Sequence, residues 1–178
     1  VTETQIDRTE QAVGRIVGSL CVLTTWTDNV HRGVLTSWVS QATFNPPGVM
    51  IALPQEQNEN GENGDLIGNP GDKFVLNILN EGRTVRRNFD ARPRVAEKSK
   101  ATGEFNEQSS DSFGNLATKP ASNGCLIIED ALAHLECTVQ SYLESGDRTL
   151  IYAVVEEGEI LERNGITAIQ HRKSGSHY

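Results

Sequence analysis

No uninterrupted apolar run approaches the roughly eighteen to twenty residues a helix needs to cross a bilayer, so a helical membrane span is not expected. A positively charged leader followed by an apolar stretch is also missing, and the sequence opens on Val1 without a methionine. That start suggests a piece of a longer polypeptide. Basic residues are too few for a cationic footprint: 16 Lys and Arg against 24 Asp and Glu leave a net charge of −8. Nucleic acid and anionic membrane surfaces, which recruit clustered cations, are therefore poor partners.

Cysteine is scarce and unpaired. Cys21, Cys125 and Cys137 are odd in number, far apart and set in apolar runs, which points to buried free thiols in a reducing, cytoplasmic setting. The four histidines, His31, His134, His171 and His177, show none of the close spacings of a zinc or di-iron site, and no metal is expected. No G-x-G-x-x-G or phosphate loop occurs, which argues against a parallel dinucleotide-binding sheet. A G-x-S-x-G elbow is likewise absent, and the acidic pairs Glu129-Asp130 and Glu156-Glu157 read as solvated turns, so hydrolase chemistry has little support.

What is present is a series of short β-patterned runs. Asp7 to Gly18 places Ala12, Val13, Ile16 and Val17 on one helical face, with Asp7 as N-cap. Ser19–Thr27 is a strand, Asp28-Asn29 a turn, and His31–Phe44 its hairpin partner. Gly48–Leu53 and Lys73–Leu79 are apolar strands separated by a polar, acidic loop over Gln55–Asp65. Glu81–Asp90 reads as a short helix carrying Arg83, Arg86 and Arg87. Ala91–Asn123 is rich in serine, lysine, asparagine and glycine, and is expected to wrap the outside with little regular structure. Cys125–Ile128, Ala131–Tyr142 and Thr149–Glu157 form three further strands, with turns at Ser145–Arg148 and Glu157-Gly158. Six or seven strands in one chain of 178 residues imply a single mainly β domain, a barrel or sandwich with minor helices.

The stretch Gly33–Pro47, GVLTSWVSQATFNPP, stands out. Apolar Val34, Leu35, Trp38 and Phe44 are interleaved with Thr36, Ser37, Ser40, Gln41 and Thr43, and Asn45-Pro46-Pro47 ends the pattern. A buried strand must hydrogen-bond such hydroxyls and amides, and a flat polar ligand is one way to do so. A half-exposed strand with a polar outer face is the alternative that the pattern alone leaves open.

TSWVSQATFNPPGVMIAL, then KFVLNIL, GCLIIEDALAHLECTV, SGDRTLIYAVVEEGEIL and the closing HRKSGSHY together resemble the flavin reductase-like family. The similarity is closest to the C-terminal flavin reductase module of cyanobacterial diflavin flavodiiron proteins. It covers the chain from the opening helix to its end. The resemblance implies an antiparallel, Greek-key split β-barrel over residues 1–178, FMN (or FAD) as cofactor, NAD(P)H as electron donor, and a homodimer. It places Thr36, Ser37, Trp38, Val39, Ser40, Gln41 and Asn77 at the flavin, and Asp147 and Arg148 near the nicotinamide. The tail residues His171, Arg172 and His177 would pack near the site. For Trp38 alone a core or interface aromatic, and for Asn77 alone a backbone-satisfied amide, are the simpler readings.

Two departures from the family pattern affect function. Arg148 stands where many members have histidine, and an arginine offers a fixed planar charge in place of a neutral ring. No lysine or arginine lies between Arg32 and Lys73, where relatives carry a basic segment toward the flavin phosphate. The resemblance implies an oxidoreductase that passes a hydride to flavin and relays electrons to a flavodiiron core reducing oxygen to water, with no catalytic side chain of its own. A non-enzymatic flavin-binding or dimerisation module is the alternative.

Overall fold

The computed structural model describes residues 3–55, 67–82, 84–89 and 113–170, with side chains from residue 8 onward. Chain order begins with α1 (Glu3–Val13), β1 (Gly18–Ser19), β2 (Cys21–Thr27) and β3 (Val30–Thr36). Asp7 lies within α1 and does not cap it, and the helix ends five residues before Gly18. The N–H of Gly14 closes it onto Glu10 at 2.9 Å, after which Arg15 and Ile16 bond three residues back. This tighter winding satisfies the last carbonyls and lets the chain leave the helix at a glycine. β2 and β3 form the expected hairpin, with Cys21 opposite Thr36 and Thr27 opposite Val30. At its tip Asp28 and Asn29 take φ of 54° and 61°, a left-handed region that these short polar side chains tolerate.

The remaining elements are β4 (Val39–Phe44), β5 (Pro47–Pro54), β6 (Lys73–Leu79), α2 (Thr84–Phe89), β7 (Thr118–Pro120), β8 (Leu126–Ile128), β9 (Ala131–Ser145), β10 (Arg148–Ile160) and β11 (Ile169–Gln170). Seven strands form one antiparallel sheet in the order β3-β2-β6-β9-β10-β5-β4. Its two edge strands are consecutive in sequence. The stretch expected as a single strand, His31–Phe44, is therefore two, broken at Ser37 and Trp38, where the chain leaves one edge of the sheet and joins the other. That crossing closes the sheet into a barrel. The peptide 45–46 preceding β5 is cis.

Two further expectations change. β10 runs straight through Glu157-Gly158, which pair with Glu136 and Leu135, so no turn forms there; the register shift just before them, between Val155 and Glu157, makes a bulge at Glu156. Within the stretch expected to lack structure, residues 118–120 pair with β8 as a two-stranded ribbon. Residues 90–112, most of the 55–65 loop, Arg83 and the 171–178 tail lie outside the described residues.

Packing follows from alternation on strands covered on both faces. Cys21, Leu23, Ile51, Phe74, Leu76, Cys137, Val139 and Ile151 fill the barrel interior. Val22, Leu79, Val85, Phe89, Ile128 and Ala131 form a second layer between the sheet and α2. This double coverage explains why KFVLNIL is apolar almost throughout. α2 seats on β3 only because Gly33 lacks a side chain: a Cβ there would stand 2.5 Å from Cε1 of Phe89. No helix among the described residues is long and apolar enough to cross a membrane.

Candidate functional site

The crossing between the sheet edges gathers most of the singled-out residues. Thr36 ends β3 with its hydroxyl buried, accepting the N–H of Trp38 at 3.2 Å. Ser37 is buried and Trp38 half-buried. The Trp38 carbonyl accepts the N–H of Ala52 at 2.9 Å, which pins the crossing to β5. Val39 opens β4 opposite Ile51, and Ser40 and Gln41 follow as exposed residues opposite Met50 and Val49. The Ser40 hydroxyl donates to the Gln41 carbonyl at 3.0 Å.

Arg148 enters this site from β10. Its guanidinium carbon lies 4.8 Å from the centroid of the Trp38 ring, a cation–π arrangement. The arginine side chain is only 15% exposed, while its neighbour Asp147, with a carboxylate oxygen 3.5 Å from Nε, is 86% exposed. Trp38 and Arg148, expected at two different ligands, are thus in one stack. Beyond them the hydroxyl of Thr43 donates to the Pro46 carbonyl at 2.8 Å and meets the Tyr152 hydroxyl at 3.0 Å. Gly48 makes room for this contact, since a Cβ there would stand 2.5 Å from Thr43 Oγ1 and 2.7 Å from the Tyr152 ring.

Asn77, expected at the flavin, lies in the core on β6. The residue is 0% exposed. Its amide donates to the carbonyls of Val22 and Leu126, each at 3.3 Å, and its Oδ1 accepts the N–H of Ile128 at 2.8 Å. Both polar atoms of the side chain are bonded to backbone and stitch β2 and β6 to β8. His171, Arg172 and His177, expected near the site, lie outside the described residues.

A second polar cluster escaped the sequence reading. His134 and Glu136 alternate along β9 on the face turned away from Leu135 and Cys137, and both are buried. Glu136 accepts the Ser122 hydroxyl at 2.5 Å and lies 4.0 Å from His134 Nε2. These three residues, with Lys119, Glu157 and Glu159, border a shallow cleft of about 500 Å³ beneath the β7–β8 ribbon. Burial holds the His134 pKa below its ordinary value, against the opposing pull of Glu136, Glu159 and Glu157. The H-x-E alternation within A-H-L-E-C was the signal available for this pair.

The cysteines are buried and free. Burial pushes the thiols of Cys21 and Cys137 up to about 12, so neither is a nucleophile near neutral pH. Among the described residues, no group of three or more His, Cys, Asp or Glu is placed to hold a metal ion.

The antiparallel sheet closing through one uncharged crossing defines a split barrel, the architecture of flavin reductases. The model of the flavin reductase like domain matches residues 13–175, and the chain belongs to that family. It is 57% identical over 177 residues to a diflavin flavoprotein A 4 relative from Nostoc sp., covering 99% of this chain and 28% of the relative. It is 38% identical over 169 residues to diflavin flavoprotein A 1 of Synechocystis sp., covering 95% and 27% respectively. The chain thus spans little more than a quarter of the length of these relatives. Among solved structures, the NADH:FAD oxidoreductase of Streptomyces globisporus superposes with a TM-score of 0.71 at 18% identity, over 99% of this chain and 88% of that one. Component B of a nitrilotriacetate monooxygenase from Mycobacterium thermoresistibile gives 0.72 at 22%, over 97% and 86%. At such identities the likeness speaks for the fold.

Proposed function

We propose that this domain binds a flavin along Thr36–Gln41 and accepts a hydride onto it from NAD(P)H. The carrying observation is the crossing itself: an uncharged run of hydroxyl, amide and backbone groups at two open sheet edges, with a half-buried indole in the middle. That donor set fits an isoalloxazine ring, which is flat, apolar on its faces, and edged with amide-like acceptors and donors. When bound, the flavin supplies hydride acceptance and electron storage. Thr36 and Ser37 hold the crossing in shape, Trp38 offers an aromatic wall, and Ser40 and Gln41 offer hydrogen bonds at the ring's polar edge. None of them transfers a proton. Rate would come from position and from the field around the ring.

FMN is the flavin proposed, with FAD as the alternative, and Asp147 with Arg148 is proposed to face the nicotinamide nucleotide. Neighbouring folds support a nucleotide pair of this kind, since one is an NADH:FAD oxidoreductase and another a flavin reductase complexed with NADP+. The diflavin relatives support a longer protein in which this domain delivers electrons to a flavodiiron core that reduces oxygen to water. A cytoplasmic homodimer with the flavin near the subunit boundary, and the 171–178 tail beside it, completes the proposal. The test is anaerobic: FMN or FAD is mixed with the domain, NADH or NADPH is added, and the oxidised-flavin absorbance is followed. Bleaching faster than in protein-free flavin supports the reading. Binding without bleaching favours a flavin-binding module with no reductase activity, which the guanidinium already stacked on Trp38 would explain. No binding of either flavin overturns both.

A further inference from the structure

We infer that Arg148 is an electrostatic partner of the flavin, one that favours the reduced ring over the oxidised one. The inference rests on the proposed flavin position along Thr36–Gln41, and it concerns the charge beside that position. Hydride transfer from a dihydronicotinamide breaks its C–H bond and forms N5–H on the flavin. The transferred electron pair leaves one negative charge spread over N1 and O2 of the ring, and the oxidised nicotinamide departs as a cation. A site that lowers the energy of this charge must hold a cation that stays charged and stays near.

Arg148 meets both conditions. Its guanidinium cannot be deprotonated at ordinary pH. It is stacked 4.8 Å from the centre of the Trp38 ring, and Trp38 is the middle of the crossing along which the flavin is placed. A ring lying on this stretch is a neighbour of Trp38 and, through it, of the guanidinium. The side chain is 15% exposed, so its field is screened far less than that of a surface arginine. Asp147 is the compensating anion, 3.5 Å away but 86% exposed, and water screens it more than the cation it faces. From Gly33 to Asp72 the sequence contains no other lysine or arginine, and Thr36–Phe44 contains no charge of either sign. Among the described residues, Arg148 of β10 is the cation placed against the Trp38 ring.

The experiment compares the affinities of the whole domain for oxidised FMN and for dithionite-reduced FMN, by anaerobic titration followed by absorbance, in the parent, R148Q, R148K and D147N. The parent is expected to bind both forms. R148Q should bind oxidised FMN within about twofold of the parent and reduced FMN about tenfold more weakly, a fall of about 30 mV in the bound two-electron potential. R148K keeps the charge and should stay within about threefold for both forms. D147N removes the opposing anion and should move the ratio the other way by about twofold. This third variant keeps the test open if R148Q folds poorly by circular dichroism. Equal losses for the two redox forms in R148Q would reduce Arg148 to a packing element and overturn the inference alone. A parent that binds neither form would overturn the flavin reading, and this inference with it.

Discussion

The guanidinium of Arg148 stacks on the indole of Trp38 across the closure of the barrel, β10 meeting the crossing between β3 and β4 at 4.8 Å. Strands distant in sequence are locked here by one cation and one ring. The contact adds to stability as well as to the site, because a mostly buried cation–π pair contributes about 1 kcal/mol. R148A should lower the unfolding free energy by about 1–2 kcal/mol, part of it from lost packing of the arginine stem. Urea titration checks this, and in a W26F background the Trp38 emission should shift to longer wavelength as its ring becomes hydrated.

Asn77 gives the opposite kind of prediction. Its amide holds three backbone groups in the core. N77A leaves buried carbonyls and an N–H without partners, which costs about 2–4 kcal/mol. The protein that remains folded should bind flavin with unchanged affinity, since the side chain faces the β8 strand and not the crossing. A tenfold loss of affinity at full folding would show that the amide acts on the ligand after all.

Gly48 tests the far end of the crossing. G48A forces a methyl against Thr43 and the Tyr152 ring, and overpacking of this kind costs about 1–3 kcal/mol. Removing the Tyr152 ring relieves one side of this crowding and leaves Thr43, so the double variant G48A/Y152A is expected to be somewhat more stable than the sum of the two single changes. Thermal melts of the four proteins measure that coupling.

Much of this architecture could be read from the residues. Period-two alternation marked the strands, and Asp28-Asn29 marked the hairpin tip where left-handed φ occurs. The break at Ser37-Trp38 could not be read, because the apolar–polar pattern continues across it. Only the pairing of the two halves with different partners, β2 and β5, reveals a corner. Glu157-Gly158 misled for a related reason: a glycine within a strand marks a close approach by a neighbour, here Leu135 and the His134 carbonyl, as well as a turn. The Trp38–Arg148 stack joins residues 110 positions apart, and no local pattern encodes such a meeting. The backbone bonds of Asn77 could not be read either, because an amide in an apolar strand looks the same whether it serves a ligand or the backbone.

His134 supplies a pH dependence whose direction follows from its surroundings. Burial beneath the β7–β8 ribbon lowers its pKa from the ordinary 6.5, the carboxylates of Glu136, Glu159 and Glu157 oppose that shift, and Lys119 adds to it. Below 6.5 the unfolded chain therefore takes up a proton on this residue more readily than the folded one. The stability associated with the neutral imidazole is complete above that value and is lost as pH falls toward the lowered folded pKa. Urea midpoints measured from pH 8 to about pH 5 should drop across this window. H134Q, which cannot titrate, should flatten this part of the curve. E136Q removes the nearest opposing carboxylate, lowers the folded pKa further, and should steepen the drop while His134 remains. If H134Q and the parent gave parallel curves, the loss at acid pH would belong to the carboxylates elsewhere in this acidic chain.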